Sequence, residues 1–214
     1  MGLSGKQIDT RQRLLRKGLA MVARTGVRGL VVRELAAAGV NLGRFVYHFG
    51  NRERFISELV ELWYAPIYRQ LRPVARLQSG DALSRLQAVL EQLLELAAQN
   101  AGFLSHVLAD ALAGEPAAQA FVLRLPSRHF RLLIVLLSRA QRQGRLIAAP
   151  APQLLGYLMA AIGMPLLLAR GPLAACDWLP PAVRQLQAWM ADIEAARQRL
   201  DWALAGISTR GESQ

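Results

Sequence analysis

Residues 32–55 read VRELAAAGVNLGRFVYHFGNRERF, and this stretch decides how the chain is interpreted. Helix-forming residues begin at Val32, Gly39 breaks the pattern, and Asn41 can cap a second short helix that starts at Leu42. Two short helices joined by a glycine turn are typical of a helix-turn-helix motif. We therefore expect a DNA-reading unit near the amino terminus.

The second short helix should have two different faces. Phe45 and Phe49 are four residues apart, so they share one face, which we expect to pack against the preceding helix. Arg44, Tyr47 and His48 fall on the opposite face, which we expect to be exposed. A buried aromatic face behind an exposed polar face is what a reading helix requires.

The exposed face carries chemistry that suits DNA. Arg44 is the main candidate for base reading, because an arginine that bonds both O6 and N7 of guanine discriminates by about 1 to 3 kcal/mol. Gly43 has no side chain, so the helix start, with its unpaired amides, could approach a phosphate closely. Asn41 could read adenine or only cap the helix. For His48 we expect a phosphate contact, with a packed core histidine as the alternative.

Charge and composition favour the same interpretation. The chain has 214 residues, 53% of them hydrophobic, which is enough to build packed cores. Leu and Ala dominate and no alternating strand pattern recurs, so we expect an all-α protein. The formal net charge is +11, and residues 1–55 carry eleven Lys or Arg against three acids, a net charge of +8. A polyanion is the expected partner.

Other classes of function find little support in the sequence. Cys176 is the sole cysteine, and no Cys and His cluster has zinc spacing, so we expect no metal site. No nucleophile elbow or phosphate-binding glycine loop is present, so we expect neither catalytic residues nor a cofactor. Residues 1–11 lack an apolar segment of the secretory kind, and we expect a cytoplasmic protein.

One apolar run, residues 146–169, has no charged residue and is long enough to be considered as a membrane span. Pro150, Pro152 and Pro165 interrupt it, leaving about a dozen helical residues, short of the roughly 20 that a bilayer needs. We expect a buried interface helix and no membrane partner. Residues 152–168 and 181–204 are predicted as two long helices that pair with their symmetry mates in a homodimer.

Residues 18–55 resemble the DNA-binding domain of the tetracycline-repressor (TetR) family of transcriptional regulators. The matching positions are turn glycines, a charged pair and the end of the reading helix: Gly26, Arg33-Glu34, Ala38-Gly39-Val40, Gly43, His48-Phe49 and Arg52. The resemblance implies a ligand-responsive repressor that binds a double-stranded operator as a dimer. It implies DNA contacts by Asn41, Gly43, Arg44, Tyr47 and His48, assistance from Arg33, and a phosphate contact by Arg52.

Three positions depart from the family's pattern. Val31 stands where the family usually has a capping Thr, a loss on the order of 1 kcal/mol. The stretch from Leu35 to Gly39 is one residue short, which rotates the helix that carries Arg33 by roughly 100° relative to the turn. Val46 replaces a Tyr, so one polar contact becomes at most an apolar touch on a thymine methyl.

The predicted organisation has three segments. Residues 1–55 form the helix-turn-helix domain, residues 56–207 the helical effector-binding and dimerisation domain, and residues 208–214 a polar tail, with a long helix from about residue 51 linking the two domains. Few charges lie among the downstream apolar segments, so we expect an apolar or aromatic effector. The candidate pocket residues are Trp63, Leu90, Leu94, Phe103, His106, Asp110, Phe130 and Ile134.

Two other functions are compatible with an apolar, basic, helical chain. One is a carrier of apolar ligands that never touches DNA, and the other is a basic protein on anionic membrane surfaces. Both leave the pattern of residues 39–49 unexplained.

Overall fold

The computed structural model describes residues 5–37, 42–75, 80–124 and 128–209. Within these ranges the secondary structure is helical: α1 Gly5–Thr25, α2 Val32–Ala37, α3 Leu42–Phe49, α4 Arg52–Ala75, α5 Ala82–Gln99, α6 Ala101–Leu112, α7 Pro116–Val122, α8 His129–Arg142, α9 Ala151–Leu158, α10 Met164–Arg170, α11 Pro181–Ala191 and α12 Ile193–Ile207. These ranges hold no β-strand, only an isolated bridge between Leu146 and Ser208. The all-α prediction is confirmed.

The chain divides into two compact units. The head unit consists of Met1–Pro66 and Gly102–Arg124, and the bundle unit consists of Ile67–Ala101 and Leu125–Gln214. By packing, α6 and α7 therefore belong with the first three helices, although α5 separates them in the sequence. The predicted domains were defined by function rather than packing, and that division stays a prediction.

The head unit is built around aromatic side chains between α1, α3 and α4. Phe49 and Phe55 are fully buried, with ring centres 4.7 Å apart. Gly18 on α1 allows the close approach of α4, because a Cβ there would lie 2.7 Å from both Phe55 Cζ and Leu59 Cδ1. Gly26 ends α1 with a φ of +74°, the left-handed conformation that glycine tolerates best.

Two predicted helix ends can be compared with the structure. A proline at position 66 is expected from the sequence to kink or stop its helix, and α4 does not stop there but continues to Ala75. A proline removes one backbone donor and crowds one turn, which bends a long helix more readily than it ends one. The predicted helix of residues 181–204 is two helices, because Asp192 adopts extended backbone and caps α12 by accepting from Glu194 N and Ala195 N.

The predicted helix of residues 152–168 runs as α9 and α10, joined by a π-helical turn at Met159–Gly163. The wider turn ends two residues before Pro165, and such a turn is a common way for a helix to accommodate an irregular position. A 3₁₀ turn, Pro172–Ala175, follows. By length and composition alone, the described stretch Ala151–Ala175 could cross a membrane, and 33% of its most apolar window is buried. A core helix passes the same test, so this is weak evidence for a span.

The bundle unit has a core of leucines and small apolar residues. Leu86, Leu90, Leu133 and Leu137 from α5 and α8 are fully buried, and Leu200 from α12 joins them. By contrast, α11 has no buried residue at all. Its apolar side chains are therefore not part of this core.

Candidate DNA interface

The short helix α3 has the two faces that the sequence predicts. Phe45 is 2% exposed and Phe49 is fully buried. Their rings lie 5.5 Å apart, and the Phe45 ring stands edge-on to that of Phe55 on α4, at 5.1 Å. These aromatic contacts fix one side of α3 against the core of the head unit, and they therefore fix the direction in which its other side faces.

The opposite face of α3 is open to solvent. Gly43 and Arg44 are exposed, and Tyr47 is 67% exposed. Val46, the position that departs from the family's pattern, is also exposed, at 53%. The structure thus brings three predicted DNA-contact residues onto one surface, and their contacts with DNA stay a prediction. Asn41, the fourth candidate near the helix start, lies outside the described residues.

His48 lies at the edge of the exposed face. It is partly buried, and its ring centre lies 5.3 Å from that of Tyr47 and 6.1 Å from that of Phe49. Burial lowers the pKa of His48 below its ordinary value, and the charges of Arg11 and Arg44 lower it further. Both effects favour the neutral imidazole, whereas a phosphate nearby would favour its protonation.

Two basic residues of α1 have partners within the head unit. Arg11 pairs with Glu58 of α4 and lies over the Phe49 ring, 5.5 Å from its centre. Lys17 donates to Glu34 O at 2.8 Å, which ties α2 to α1. Arg33 on α2 is exposed. Arg11 and Lys17 are thus positioned by contacts within the head unit.

Arg52 has partners inside the head unit. Its guanidinium donates to Val27 O at 2.6 Å and to Leu30 O at 3.3 Å, and it forms an ion pair with Glu115 at 3.0 Å. A phosphate would have to compete with these three acceptors. The phosphate contact predicted for Arg52 stays a prediction, and the structure adds a role in holding the loop between α1 and α2.

The eight predicted pocket residues divide evenly between the two units. In the head unit, Trp63 stacks on Phe103 with ring centres 4.3 Å apart, and His106 is partly buried. Asp110 binds the backbone amides of Val27 and Arg28. In the bundle unit, the remaining four belong to the core or pack directly against it: Leu90, Leu94, Phe130 and Ile134.

The sequence did not indicate a groove of about 190 Å³ in the head unit, between α4 and α7. Val60 and Phe121 contribute apolar surface to its lining, and Glu53, Glu61 and Arg124 contribute charge. None of the predicted pocket residues lines it. In the described part of the chain, no three His, Cys, Asp or Glu side chains come together as a metal site.

The sequence is similar to that of a known repressor. No family model matches the chain. The HTH-type transcriptional repressor NemR of Escherichia coli K12 is 30% identical over 139 residues, which cover 64% of this chain and 69% of NemR.

Several solved structures have the same fold. A transcriptional regulator of Saccharomonospora viridis in complex with choline superposes with a TM-score of 0.68 and 19% identity, over 95% of this chain and all of that one. The ketosteroid regulator KstR2 of Mycobacterium tuberculosis gives 0.65 and 18%, over 98% of both chains. The TetR-family regulator PfmR of Thermus thermophilus gives 0.64 and 18%, over 90% and 97%.

Proposed function

The chain belongs to the TetR family of transcriptional regulators, and from this premise we propose a homodimeric repressor that leaves a pseudo-palindromic operator when a small apolar or aromatic effector binds. The observation that carries the proposal is the exposed face of α3. Arg44 and Tyr47 are free of the core, while Phe45 and Phe49 anchor the other side of the same helix. A rigid helix with outward arginine and tyrosine is suited to the major groove.

Charge in the head supports DNA as the partner. Residues 1–55 carry most of the net positive charge of the chain. Neutralised phosphates release counterions, which gives affinity for any sequence, and base contacts from α3 then give preference for one. We assign base reading to Arg44, close backbone approach to Gly43, and phosphate contacts to Tyr47 and His48. Asn41, Arg33 and Arg52, the last as a phosphate contact, complete the proposed contact set.

A second copy of the chain is the proposed occupant of the apolar face of α11. Val183, Leu186 and Trp189 are spaced by three residues and are 39%, 53% and 41% exposed. Trp202 on α12 is 57% exposed. Aromatic and aliphatic groups on one helix side are typical of an obligate dimer interface. A two-fold axis would place two α3 helices about 34 to 36 Å apart, one turn of DNA, or a multiple of that distance.

The effector is proposed to act by favouring the conformation that does not bind DNA, because a ligand shifts an equilibrium only by its differential affinity. The long helix α4 begins in the head unit and continues into the bundle unit, which makes it the proposed connection. Choline and the name of the ketosteroid regulator, both from structural neighbours, support a small-molecule effector. A regulator of this kind works in the cytoplasm and needs no catalytic group.

Selection from sheared genomic DNA tests the proposal. Purified protein retains fragments at about physiological salt, which are sequenced and then measured individually. A recovered palindrome, bound by two chains, is the expected result. Uniform retention of all fragments would indicate a generic polycation, and no retention would favour a ligand carrier. Either of these two results would contradict the proposal.

A further inference from the structure

The loop between α1 and α2, residues 26–31, is held at both its donors and its acceptors by side chains from distant parts of the head unit. Val27 N and Arg28 N donate to the same oxygen, Asp110 Oδ2, at 2.5 and 3.1 Å. The acceptors Val27 O and Leu30 O are bound by Arg52. Val27 is fully buried, so its polar groups need partners, and Val27 O also accepts from Leu30 N at 3.2 Å.

The two side chains that hold the loop, Asp110 and Arg52, are connected to the same segment, residues 110–115 between α6 and α7. Asp110 belongs to this segment, and Arg52 pairs with its Glu115. Asp110 lies in the last turn of α6, and Glu115 precedes α7 and balances the charge of Arg52. The backbone joins the two acids, because Glu115 N donates to Asp110 O at 2.9 Å. We call residues 110–115 the α6–α7 corner.

The Asp110 carboxylate packs closely against the α1–α2 loop. A Cβ on Gly26 would collide with the Asp110 carboxylate, in addition to the strain of its φ of +74°. A carboxylate that accepts two neighbouring amides forms charge-assisted bonds, which are among the stronger hydrogen bonds in proteins. Glu115 is also well covered, with its side chain 13% exposed. Both acids are thus engaged in specific contacts inside the head unit.

We propose that Asp110 and Glu115 are positioning residues for DNA recognition, which hold the helix-turn-helix in register through the α1–α2 loop. The loop ends where α2 begins, and α2 leads into α3, so a shift of the corner displaces the reading helix. The inference rests on the proposed function. In this inference the α6–α7 corner influences DNA affinity through its hydrogen bonds to the α1–α2 loop. This influence is separate from the direct chain connection that α4 makes between the two units.

The loop amides provide a test that needs no DNA. Hydrogen exchange of residues 26–31 is compared between the wild type, Asp110→Asn, Asp110→Ala and Glu115→Gln. Asp110→Ala leaves two amides without an acceptor, so their exchange should quicken by about tenfold or more, with Asp110→Asn in between. Glu91→Gln, which removes an equal charge from an exposed position on α5, should exchange as the wild type does.

Operator affinity provides the functional readout. With a selected operator, Asp110→Ala and Glu115→Gln should bind about five- to tenfold more weakly. The preferred sequence and the salt dependence should not change, because no base or phosphate contact is lost. An effect that only reflected unfolding would also speed exchange in α5 and α12, and this result would overturn the inference.

The two readouts separate the possible failures. Wild-type exchange rates in Asp110→Ala would overturn the inference whether or not an operator exists. Faster exchange with unchanged operator affinity would also overturn it, while leaving the proposed function in place. If no operator is recovered for the wild type, the proposed function fails, and the positioning role fails with it even if the exchange result confirms the contact.

Discussion

The guanidinium of Arg199 lies over the indole ring of Trp189, with Cζ 4.6 Å from the ring centre. It donates to Trp189 O and Met190 O, at 3.4 and 3.2 Å, and so satisfies carbonyls at the end of α11. Arg199 is only 7% exposed, and burial lowers its pKa although the Asp192 carboxylate acts in the opposite direction. One side chain of α12 therefore fixes the corner between the last two helices.

Arg199→Ala should lower the free energy of unfolding by roughly 2 to 4 kcal/mol, since it removes both hydrogen bonds and the packing on Trp189. Arg199→Lys should fall in between, because it keeps the charge and loses the planar fork. Urea unfolding measures both, with exposed Arg131→Ala of α8 as the control. An unfolding midpoint of Arg199→Ala equal to that of the wild type would contradict this role.

Arg44→Ala should reduce base discrimination at one operator position by about 1 to 3 kcal/mol, because the exposed guanidinium is the proposed reader of guanine. Other positions should keep their preferences. Competition binding with single-base operator variants measures this, and Arg131→Ala serves again as the charge-matched control. A uniform loss at every position would assign Arg44 to a phosphate instead.

If the chain forms the proposed dimer through α11, Leu186→Arg should make it monomeric and weaken operator binding by roughly 100-fold or more, because the two heads would no longer bind together. Leu186 is 53% exposed on a helix that contributes nothing to the core, so the fold itself should persist. Sedimentation and operator titration measure the two effects. Val135→Arg on α8, another exposed apolar position, is the control. A variant that stays dimeric would place the interface elsewhere.

His129 should make stability depend on acid pH. Burial lowers its pKa from the ordinary 6.5 to about 4. Between these two pH values, His129 binds a proton in the unfolded chain but not in the folded chain. The stabilisation present above pH 6.5 is therefore lost as the pH falls towards 4. The loss is on the order of 3 kcal/mol.

Unfolding of the wild type and His129→Asn at pH 7 and pH 4.5 measures this contribution. The pKa of His48 is also lowered, but His48 is present in both proteins, so the difference between them isolates His129. The variant should lose distinctly less stability over this interval. Equal losses in both proteins would show that His129 is not the group responsible.

Local spacing was enough to predict the reading helix. Phe45 and Phe49 share a face because a helix repeats every 3.6 residues, and the exposure of Arg44 and Tyr47 follows from the same geometry. The end of α1 at Gly26 was equally local, since it depends on one residue that adopts positive φ. The helix break at Asp192 was missed, although a capping residue was present, because an apolar periodicity continues across it.

The order of residue types along the chain thus determined the all-helical class, the cationic head and the two faces of α3, all of which depend on neighbours within one or two turns. Only the tertiary structure shows the contacts of Asp110 and Glu115. The sequence predicts Asp110 as a pocket residue and assigns nothing to Glu115. Their partners lie 83 and 63 residues away, at Val27 and Arg52. A hydrogen bond across such a separation depends on how helices pack, and no local pattern encodes it.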